Sequence, residues 1–234
     1  MYEQQPETLR QKVKSLANQS LEQNEPSGWF EVLYESANGD SQQVPWARLA
    51  THPYLQDWLA HHAALANSSD TPAVATASPS ALVIGCGLGD DAEALQAAGF
   101  QVSAFDISPT AIAWCRQRFP DSAVNYFVGD LFALDPSLNQ AFDLVFESRN
   151  IQALPLSVRS PVIQSIGKLV AVGGTLLVIT RVRDTEAQPD GPPWALSEQE
   201  LAQFEELGLQ EIRRDHFFEG DNDEIKHFRI EYCH

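Results

Sequence analysis

A glycine-rich turn follows a short apolar run in ALVIGCGLGDD, which begins at Ala81 and ends at Asp91. Gly85, Gly87 and Gly89 stand at alternate positions between a predicted strand and a predicted helix. Glycine lets the chain bend sharply and lets a ligand approach the backbone. The N-terminus of the following helix adds N–H groups and a partial positive charge. The pattern predicts a ligand site here, and a tight turn that binds nothing is the alternative.

The residues after the turn narrow the choice of ligand. Asp90 stands where the dinucleotide fingerprint GxGxxG has its third glycine, and a pair of carboxylates would repel a pyrophosphate. No GK[ST] sequence follows, so a P-loop is excluded. The spacing that is present, GxGxG, suits a ligand with a cationic part and a carboxylate, and S-adenosylmethionine fits that description.

Two more aspartates end the next two predicted strands. Asp106 in QVSAFDIS lies about 20 residues beyond the first glycine, where an acid accepts the ribose hydroxyls of a nucleotide, and Ile107 can lie against the adenine. Asp130 in VNYFVGDLF can accept from the adenine amino group, with Leu131 and Phe132 beside the ring. Each aspartate taken alone is more typical of a helix entry or a turn. Their position at consecutive strand ends favours the nucleotide.

The elements that must position these residues alternate regularly after residue 80. Apolar runs predict strands at Ala81–Ile84, Val102–Asp106, Val124–Val128, Phe142–Phe146 and Thr175–Thr180. Helical patterns predict helices at Asp90–Ala98, Pro109–Phe119, Leu156–Val170 and Ser197–Leu207. Ser108 before Pro109, and Ser197 with Glu200, are typical helix starts. Leu209–Phe218 and Ile225–Cys233 predict an antiparallel hairpin across the acidic turn 219–223.

These patterns predict an α/β fold with a Rossmann-like, doubly wound, seven-stranded and mostly parallel sheet that ends in the antiparallel hairpin. An N-terminal helical extension, with helices at Glu7–Gln23 and Arg48–Ala64, precedes it. We divide the chain into this extension, residues 1–66, a Ser-, Ala- and Pro-rich linker, residues 67–80, and the main domain, residues 81–234.

Composition excludes several classes of function. The 234 residues carry a net charge of -17, which disfavours nucleic acid as a partner. No apolar run could cross a membrane and no signal peptide is evident, so we expect a cytoplasmic protein, a monomer or weak dimer. Three widely spaced cysteines and six histidines without HExxH spacing indicate neither disulfides nor a metal.

The chain resembles class I S-adenosylmethionine-dependent methyltransferases in GCGLG, FDIS and GDLF. It departs from most of them at Val83, where an acidic residue is usual. An apolar residue there is typical of the branch of thiopurine S-methyltransferase and the thiol and halide methyltransferases. FDLVFESRNIQALP with Arg159, and GPPWALSEQEL from Gly191 to Leu201, also resemble this branch. So do Trp29 and Val44-Pro45-Trp46, which resemble its aromatic roof over the cofactor.

The resemblance implies S-adenosylmethionine as cofactor, S-adenosylhomocysteine as product and a small-molecule acceptor. The implied cofactor-binding residues are Trp29, Trp46, Gly85, Cys86, Gly87, Gly89, Asp106, Ile107, Asp130, Leu131, Phe132 and Glu147. Glu147 would hold the methionine amino group or face the acceptor, and an exposed strand-end acid is the alternative. Arg159 and Trp194 would contact the substrate. Arg149, which follows the same strand as Glu147, could also bind an anionic acceptor, although the resemblance does not assign it. Surface ion pairs and core packing are the alternatives. Glu147 and Arg159 are the catalytic candidates.

The acceptor atom is inferred from the absence of a base. A thiol is partly ionised at neutral pH, whereas an alcohol or amine needs a general base. SRNIQALP, after the fourth strand, contains no His or Tyr, although Tyr34 or His216 could approach from elsewhere. This favours a thiol or another soft sulfur or selenium nucleophile. An oxygen, nitrogen or carbon acceptor, or a binding module without activity, are the alternatives.

Overall fold

The computed structural model describes residues 7–68, 78–220 and 224–234. Within these residues, seven strands form one sheet in the order β3-β2-β1-β4-β5-β7-β6. They are β1 Ser80–Ile84, β2 Gln101–Asp106, β3 Asn125–Val128, β4 Phe142–Ser148, β5 Val170–Arg181, β6 Gln210–Glu219 and β7 Ile225–Cys233. β1 to β5 pair in parallel, and β7 is antiparallel to both β5 and β6. The predicted fold class is confirmed.

The α-helices of the described residues cover both faces of the sheet and its carboxyl edge. They are α1 Glu7–Glu22, α2 Trp29–Ala37, α3 Pro53–Ser68, α4 Asp90–Ala97, α5 Pro109–Arg118, α6 Arg159–Gly167 and α7 Glu198–Glu206. Short 3-10 turns occur between them.

Alternate residues of each central strand face opposite layers, which explains why the strands are apolar throughout. In β1, Leu82 and Ile84 pack into the core shared with α6 and α7. Ala81 and Val83 pack into the core on the other side, with α4, α5 and Trp58 of α3. Both strand faces are therefore buried, and the polar groups of the sheet are left at the strand ends.

The predicted helix starts are confirmed. The Ser108 hydroxyl accepts from Ala111 N at 2.9 Å, and Pro109 is the first residue of α5. Ser197 and Glu200 form a capping box at α7, with Ser197 N donating to Glu200 Oε2 at 2.7 Å. At both helices, these side-chain oxygens accept from backbone N–H groups that have no partner within the first helical turn.

Several predicted boundaries differ from the structure. The strand predicted from Thr175 begins at Val170. The helix predicted from Arg48 begins at Pro53 because proline fits the first helical position and Leu49 has a positive φ of 52°. The helix predicted at Leu156–Val170 is shorter, since Leu156–Val158 is a 3-10 turn and Val170 already belongs to β5. Helix α2 was not predicted. The tryptophan-rich segment that forms it lacks a recognisable N-cap, and Gly28 makes no side-chain capping bond there.

Two predicted features lie largely outside the described residues. Most of the linker at 67–80 falls in 69–77, and most of the acidic turn falls in 221–223. None of the helices in the described part of the chain is both long and apolar enough to cross a membrane.

Candidate active site

A cavity of about 230 Å³ opens at the carboxyl end of the parallel strands. Its floor is the turn after β1, and its walls are the segments that follow β2, β3 and β4. Helix α2 and residues 45–52 close it from above. Open α/β sheets bind ligands at this edge, where the strand order reverses beside β1.

The glycines of the turn are required by its backbone and its neighbours. Gly85 and Gly87 have φ values of 54° and 55°, in the region that favours glycine. A Cβ on Gly85 would lie 1.9 Å from Asn150 Oδ1, and one on Gly87 would lie 3.3 Å from the Tyr34 hydroxyl. The bare backbone of both residues lines the cavity, together with Cys86.

Asp106 joins the second strand to this turn. Its carboxylate accepts from Gly87 N at 2.9 Å and from Ser108 N at 3.0 Å. Burial raises its pKa to about 6, although the N–H groups of Ser108 and Gly87 oppose the shift. Asp106 thus orders the glycine turn and presents a carboxylate to the cavity.

The far end of the cavity is formed after β2 and β3 by Ile107, Asp130, Leu131 and Phe132. Asp130 Oδ1 accepts from Phe132 N at 2.9 Å, which folds the chain back after the strand. Phe132 is 39% exposed. This end of the cavity is thus a partly open apolar slot with one carboxylate at its rim.

Aromatic side chains of the N-terminal segment form the roof. Trp29 and Trp46 both line the cavity and meet edge to face, with ring centroids 5.7 Å apart. Trp46 Nε1 donates to the Tyr34 hydroxyl at 2.7 Å. Tyr34 is fully buried, and burial raises its pKa well above 10. Its place in the cavity wall follows from α2, which the sequence did not reveal.

Glu147 lies behind the cavity wall instead of in it. Its Oε1 accepts from Asn150 N at 2.6 Å and Ile151 N at 3.0 Å, and its side chain is fully buried. Asn150 Nδ2 donates in turn to Ile84 O at 2.8 Å. Glu147 is therefore not an exposed acid, and it does not line the cavity. It shapes the turn that supports Gly85.

Because Glu147 is buried, we expect the stability difference between the original chain and the variant Glu147→Gln to depend on pH. Burial raises its pKa from 4.5 to about 7, against the N–H groups of Ile151 and Asn150. Since the folded form binds the proton more tightly than the unfolded chain, the carboxylate lowers stability as the pH rises through this window. Glu147→Gln keeps an acceptor oxygen and has no charge. The free energy of unfolding of Glu147→Gln minus that of the original chain should rise by about 2 to 3 kcal/mol between pH 4.5 and pH 8.

Urea denaturation at several pH values measures this difference. Asp91 and Asp106, which also have raised pKa values, are present in both proteins, so their contributions cancel. A difference that stays constant with pH would contradict the predicted protonation of Glu147. Glu206→Gln, at an exposed position at the end of α7, is the control and should give no such trend.

Arg159 and Trp194 are also absent from the cavity wall. Arg159 is buried, pairs with Glu200 at 3.1 Å, and donates to Leu154 O and Trp194 O, each at 3.1 Å. Trp194 is 6% exposed and packs against Val13 and Ala17 of α1. Arg159 thus connects the segment 183–200 to the start of α6. Of that segment, Pro192 and Pro193 line the cavity.

Gly89 and His216 also lie outside the cavity wall. Gly89 is the N-cap of α4, and a Cβ there would meet the Tyr126 hydroxyl at 2.6 Å, on the side away from the cavity. His216 lies on β6 against the Phe228 ring and does not line the cavity. Among the described residues, no group of His, Cys, Asp and Glu could hold a metal ion.

Several residues that line the cavity were not predicted from the sequence. Arg48 and His52 lie in the irregular segment before α3, and Asn150 packs against Gly85. Arg181 lines the cavity at the end of β5, a position that the strand prediction itself would have indicated. Arg149, which was predicted, lines the cavity and pairs with Glu219 at 2.6 Å.

Comparisons with known proteins agree with this geometry. The family model of thiopurine S-methyltransferase matches residues 40–227. A thiopurine S-methyltransferase of Legionella pneumophila (strain Corby) is 28% identical over 96 residues, 41% of this chain and 42% of the relative. A probable thiol methyltransferase 2 of Arabidopsis thaliana is 33% identical over 121 residues, 50% of this chain and 52% of the relative. These matches span about half of each relative or less.

One solved structure illustrates the fold. The N-methyltransferase NodS from Bradyrhizobium japonicum WM9, in complex with S-adenosylhomocysteine, superimposes with a TM-score of 0.62 at 21% identity. The superposition covers 87% of this chain and 97% of NodS. At this identity it establishes the Rossmann-like fold alone. Because the family model covers most of the sequence, including the strands that form the cavity, the chain belongs to the thiopurine S-methyltransferase family.

Proposed function

We propose that the protein is an S-adenosylmethionine-dependent methyltransferase that acts on a small acceptor, a thiol or another soft sulfur or selenium nucleophile. One observation carries the proposal. Three consecutive strand ends bring the glycine turn, Asp106 and the segment Asp130–Phe132 to one cavity under an aromatic roof. Family membership supports the same activity.

The cavity fits the cofactor in its chemistry. Gly85 and Gly87 line the cavity, and because they have no side chains a ligand can approach their backbone groups. Asp106, Ile107, Leu131 and Phe132 line the same cavity. Asp106 would accept from the ribose hydroxyls, and the three apolar side chains would lie against the adenine. Trp29 and Trp46 would cover the bound molecule and exclude water. When bound, the cofactor supplies a methyl group on a positively charged sulfur, which makes the carbon electrophilic.

The protein must align the acceptor with the methyl group and exclude water from the cavity. The turn of Ser148, Arg149 and Asn150 lies beside the glycine turn and lines the cavity, so it faces the incoming acceptor. Ordered by Glu147, this turn would hold the acceptor in line with the methyl group. We therefore assign Glu147 a positioning role.

The groups near the acceptor favour a thiol. His52 Nδ1 accepts from Tyr54 N at 3.2 Å, so the neutral ring carries its proton on Nε2 and presents a donor. Burial and the charges of Arg149 and Arg48 lower the pKa of His52 to about 2, so the ring does not take a proton at neutral pH. The phenol of Tyr34 is equally unsuited to act as a base. An acceptor that ionises by itself needs neither.

Asp91 supports an alternative acceptor. Its carboxylate lines the cavity and accepts from His52 N at 2.7 Å, and burial raises its pKa to about 6. A carboxylate with this pKa is a usable general base at neutral pH. An oxygen or nitrogen acceptor would depend on it, whereas an ionised thiol would not.

Calorimetry and an acceptor panel test the proposal. S-adenosylmethionine should bind the full chain, and no binding at high micromolar concentration would reject the proposed activity. A panel of thiols, selenide, phenols and amines then identifies the acceptor atom by its methylated product. Turnover of thiols that changes less than about threefold in Asp91→Asn supports the thiol. Turnover of phenols or amines only, lost in that variant, would establish the alternative, and binding without any turnover would indicate a binding module.

A further inference from the structure

Helix α2 carries a large part of the roof, and one of its side chains connects it to the sheet domain below. Trp29, Phe30 and Tyr34 of α2 line the cavity. Glu31 follows the first two of them, and its half-buried carboxylate lies against the N-terminus of α5. In the part of the chain that the structure describes, Glu31 makes all the hydrogen bonds between α2 and residues beyond β1.

Both oxygens of the Glu31 carboxylate are used at α5. The Ser108 hydroxyl donates to Oε2, the Thr110 hydroxyl donates to Oε1 at 2.7 Å, and Thr110 N donates to Oε2 at 3.3 Å. The first N–H groups of a helix have no partner within it, and the positive end of the helix dipole favours a carboxylate. Hydrogen bonds to an ionised group are also stronger than those between neutral groups. The contact is therefore suited to hold α2 against α5.

The start of α5 also holds the residue that we propose for the ribose. Ser108 N donates to Asp106 Oδ1 at 3.0 Å, and Gly87 N donates to the other oxygen at 2.9 Å. Burial is the largest cause of the raised pKa of Asp106, and the negative charge of Glu31 adds to it. Ser108 thus binds both carboxylates, one from the roof and one from the cavity, and connects α2 to the glycine turn.

The apolar contacts of α2 are divided between two clusters. Trp29 and Leu33 belong to one that includes Val13 of α1, and Tyr34 belongs to another that includes Ala111 of α5. Apolar contacts are non-directional, whereas hydrogen bonds depend on distance and angle. The apolar contacts therefore favour a packed roof, and the hydrogen bonds at α5 determine where the helix stands over the cavity.

We propose that Glu31 is a positioning residue that holds the roof closed over the bound cofactor and slows its release. The inference rests on the proposed function, in which Trp29 and Trp46 cover the cofactor. Opening the roof by moving α2 away from α5 breaks the three hydrogen bonds of Glu31. Loss of the carboxylate should therefore raise the dissociation rate more than it changes the association rate, as is usual for variants of one binding site.

Stopped-flow fluorescence with S-adenosylhomocysteine measures both rates in the full-length protein. Trp29 and Trp46 line the cavity, so their fluorescence should report the binding. In Glu31→Ala, dissociation should be about tenfold faster, and association should change less than about threefold. Glu35→Ala is the matched control, because Glu35 is exposed on the same helix. Both rates of the control should stay within about twofold of those of the original chain.

Thr110→Val tests the contact from the side of α5. Valine has the shape of threonine and lacks the hydroxyl that donates to Glu31. This variant should also release S-adenosylhomocysteine faster than the original chain, and Glu31→Ala combined with Thr110→Val should be no faster than Glu31→Ala alone. Circular dichroism verifies the fold of each variant, and Thr110→Val by itself decides the inference if Glu31→Ala does not fold.

Hydrogen–deuterium exchange of the unliganded protein tests the contact without any cofactor. Peptides that contain α2 should exchange about tenfold faster in Glu31→Ala than in Glu35→Ala, and peptides of the central strands should exchange equally in both. Failure of S-adenosylhomocysteine to bind the original chain would reject the proposed function, and this exchange measurement would then decide whether Glu31 holds the roof. Equal exchange of α2 in the two variants would overturn the inference.

Two results of the kinetic experiment would also overturn it. Dissociation from folded Glu31→Ala at the rate measured for Glu35→Ala would show that the contact does not slow the release. A loss of affinity that arises from slower association, with the dissociation rate unchanged, would show that Glu31 orders the empty cavity instead of holding the roof over the ligand.

Discussion

Gly85→Ala should abolish detectable binding of S-adenosylmethionine and lower the free energy of unfolding by about 2 to 4 kcal/mol. Two effects add. An alanine at a φ of 54° is strained, and its Cβ would lie 1.9 Å from Asn150 Oδ1. The Asn150 side chain donates to Ile84 O and Ser148 O, and its backbone N–H donates to Glu147, so it cannot simply turn away. The overlap must displace the turn that forms the cavity floor.

Gly39→Ala is the matched control for this variant. Gly39 has a φ of 87° and nothing within 4 Å of a Cβ, so an alanine there adds only backbone strain, about 1 to 2 kcal/mol. Urea denaturation gives both stabilities, and calorimetry gives the affinities. If Gly85→Ala binds the cofactor as well as Gly39→Ala does, the turn after β1 is not the floor of the cofactor site.

Asp106→Asn should weaken binding of S-adenosylmethionine by about 100-fold or more. The carboxylate uses one oxygen for Gly87 N and the other for Ser108 N. An asparagine replaces one of these oxygens by an NH2 group, which would face an N–H donor. The variant therefore loses the charge offered to the ribose and disturbs the glycine turn as well.

Asp121→Asn is the control for Asp106→Asn, since Asp121 is exposed in the turn after α5. Calorimetry with S-adenosylhomocysteine measures the affinities, and circular dichroism verifies that both variants are folded. Affinity within threefold of the original chain in a folded Asp106→Asn would remove Asp106 from the cofactor site. Because this experiment does not depend on the acceptor, it leaves the thiol proposal untouched.

Features that depend on neighbouring residues in the chain were predicted correctly, whereas the directions of side chains, which depend on distant contacts, were not. The strand ends at Gly85, Asp106 and Asp130 were located by apolar runs that stop at polar residues, and the structure places all three at the cavity. The roles of Glu147, Arg159 and Trp194 were inferred from motif position, and these residues lie outside the cavity wall. A sequence motif indicates that a residue is near a strand end. It does not indicate whether the side chain points into the cavity or into the core behind the cavity wall.

The strands, most of the helices, the helix caps at Ser108 and Ser197, and the glycine turn could be predicted, because each depends on residues near one another in the chain. Helix α2 and the set of side chains that meet across the cavity could not. The cavity brings together Arg48 and His52, Arg149, and Arg181 from three separate segments, because the N-terminal segment packs over the edge of β1, β4 and β5. Backbone propensity and apolar periodicity act locally, whereas the lining of a cavity depends on packing between distant segments.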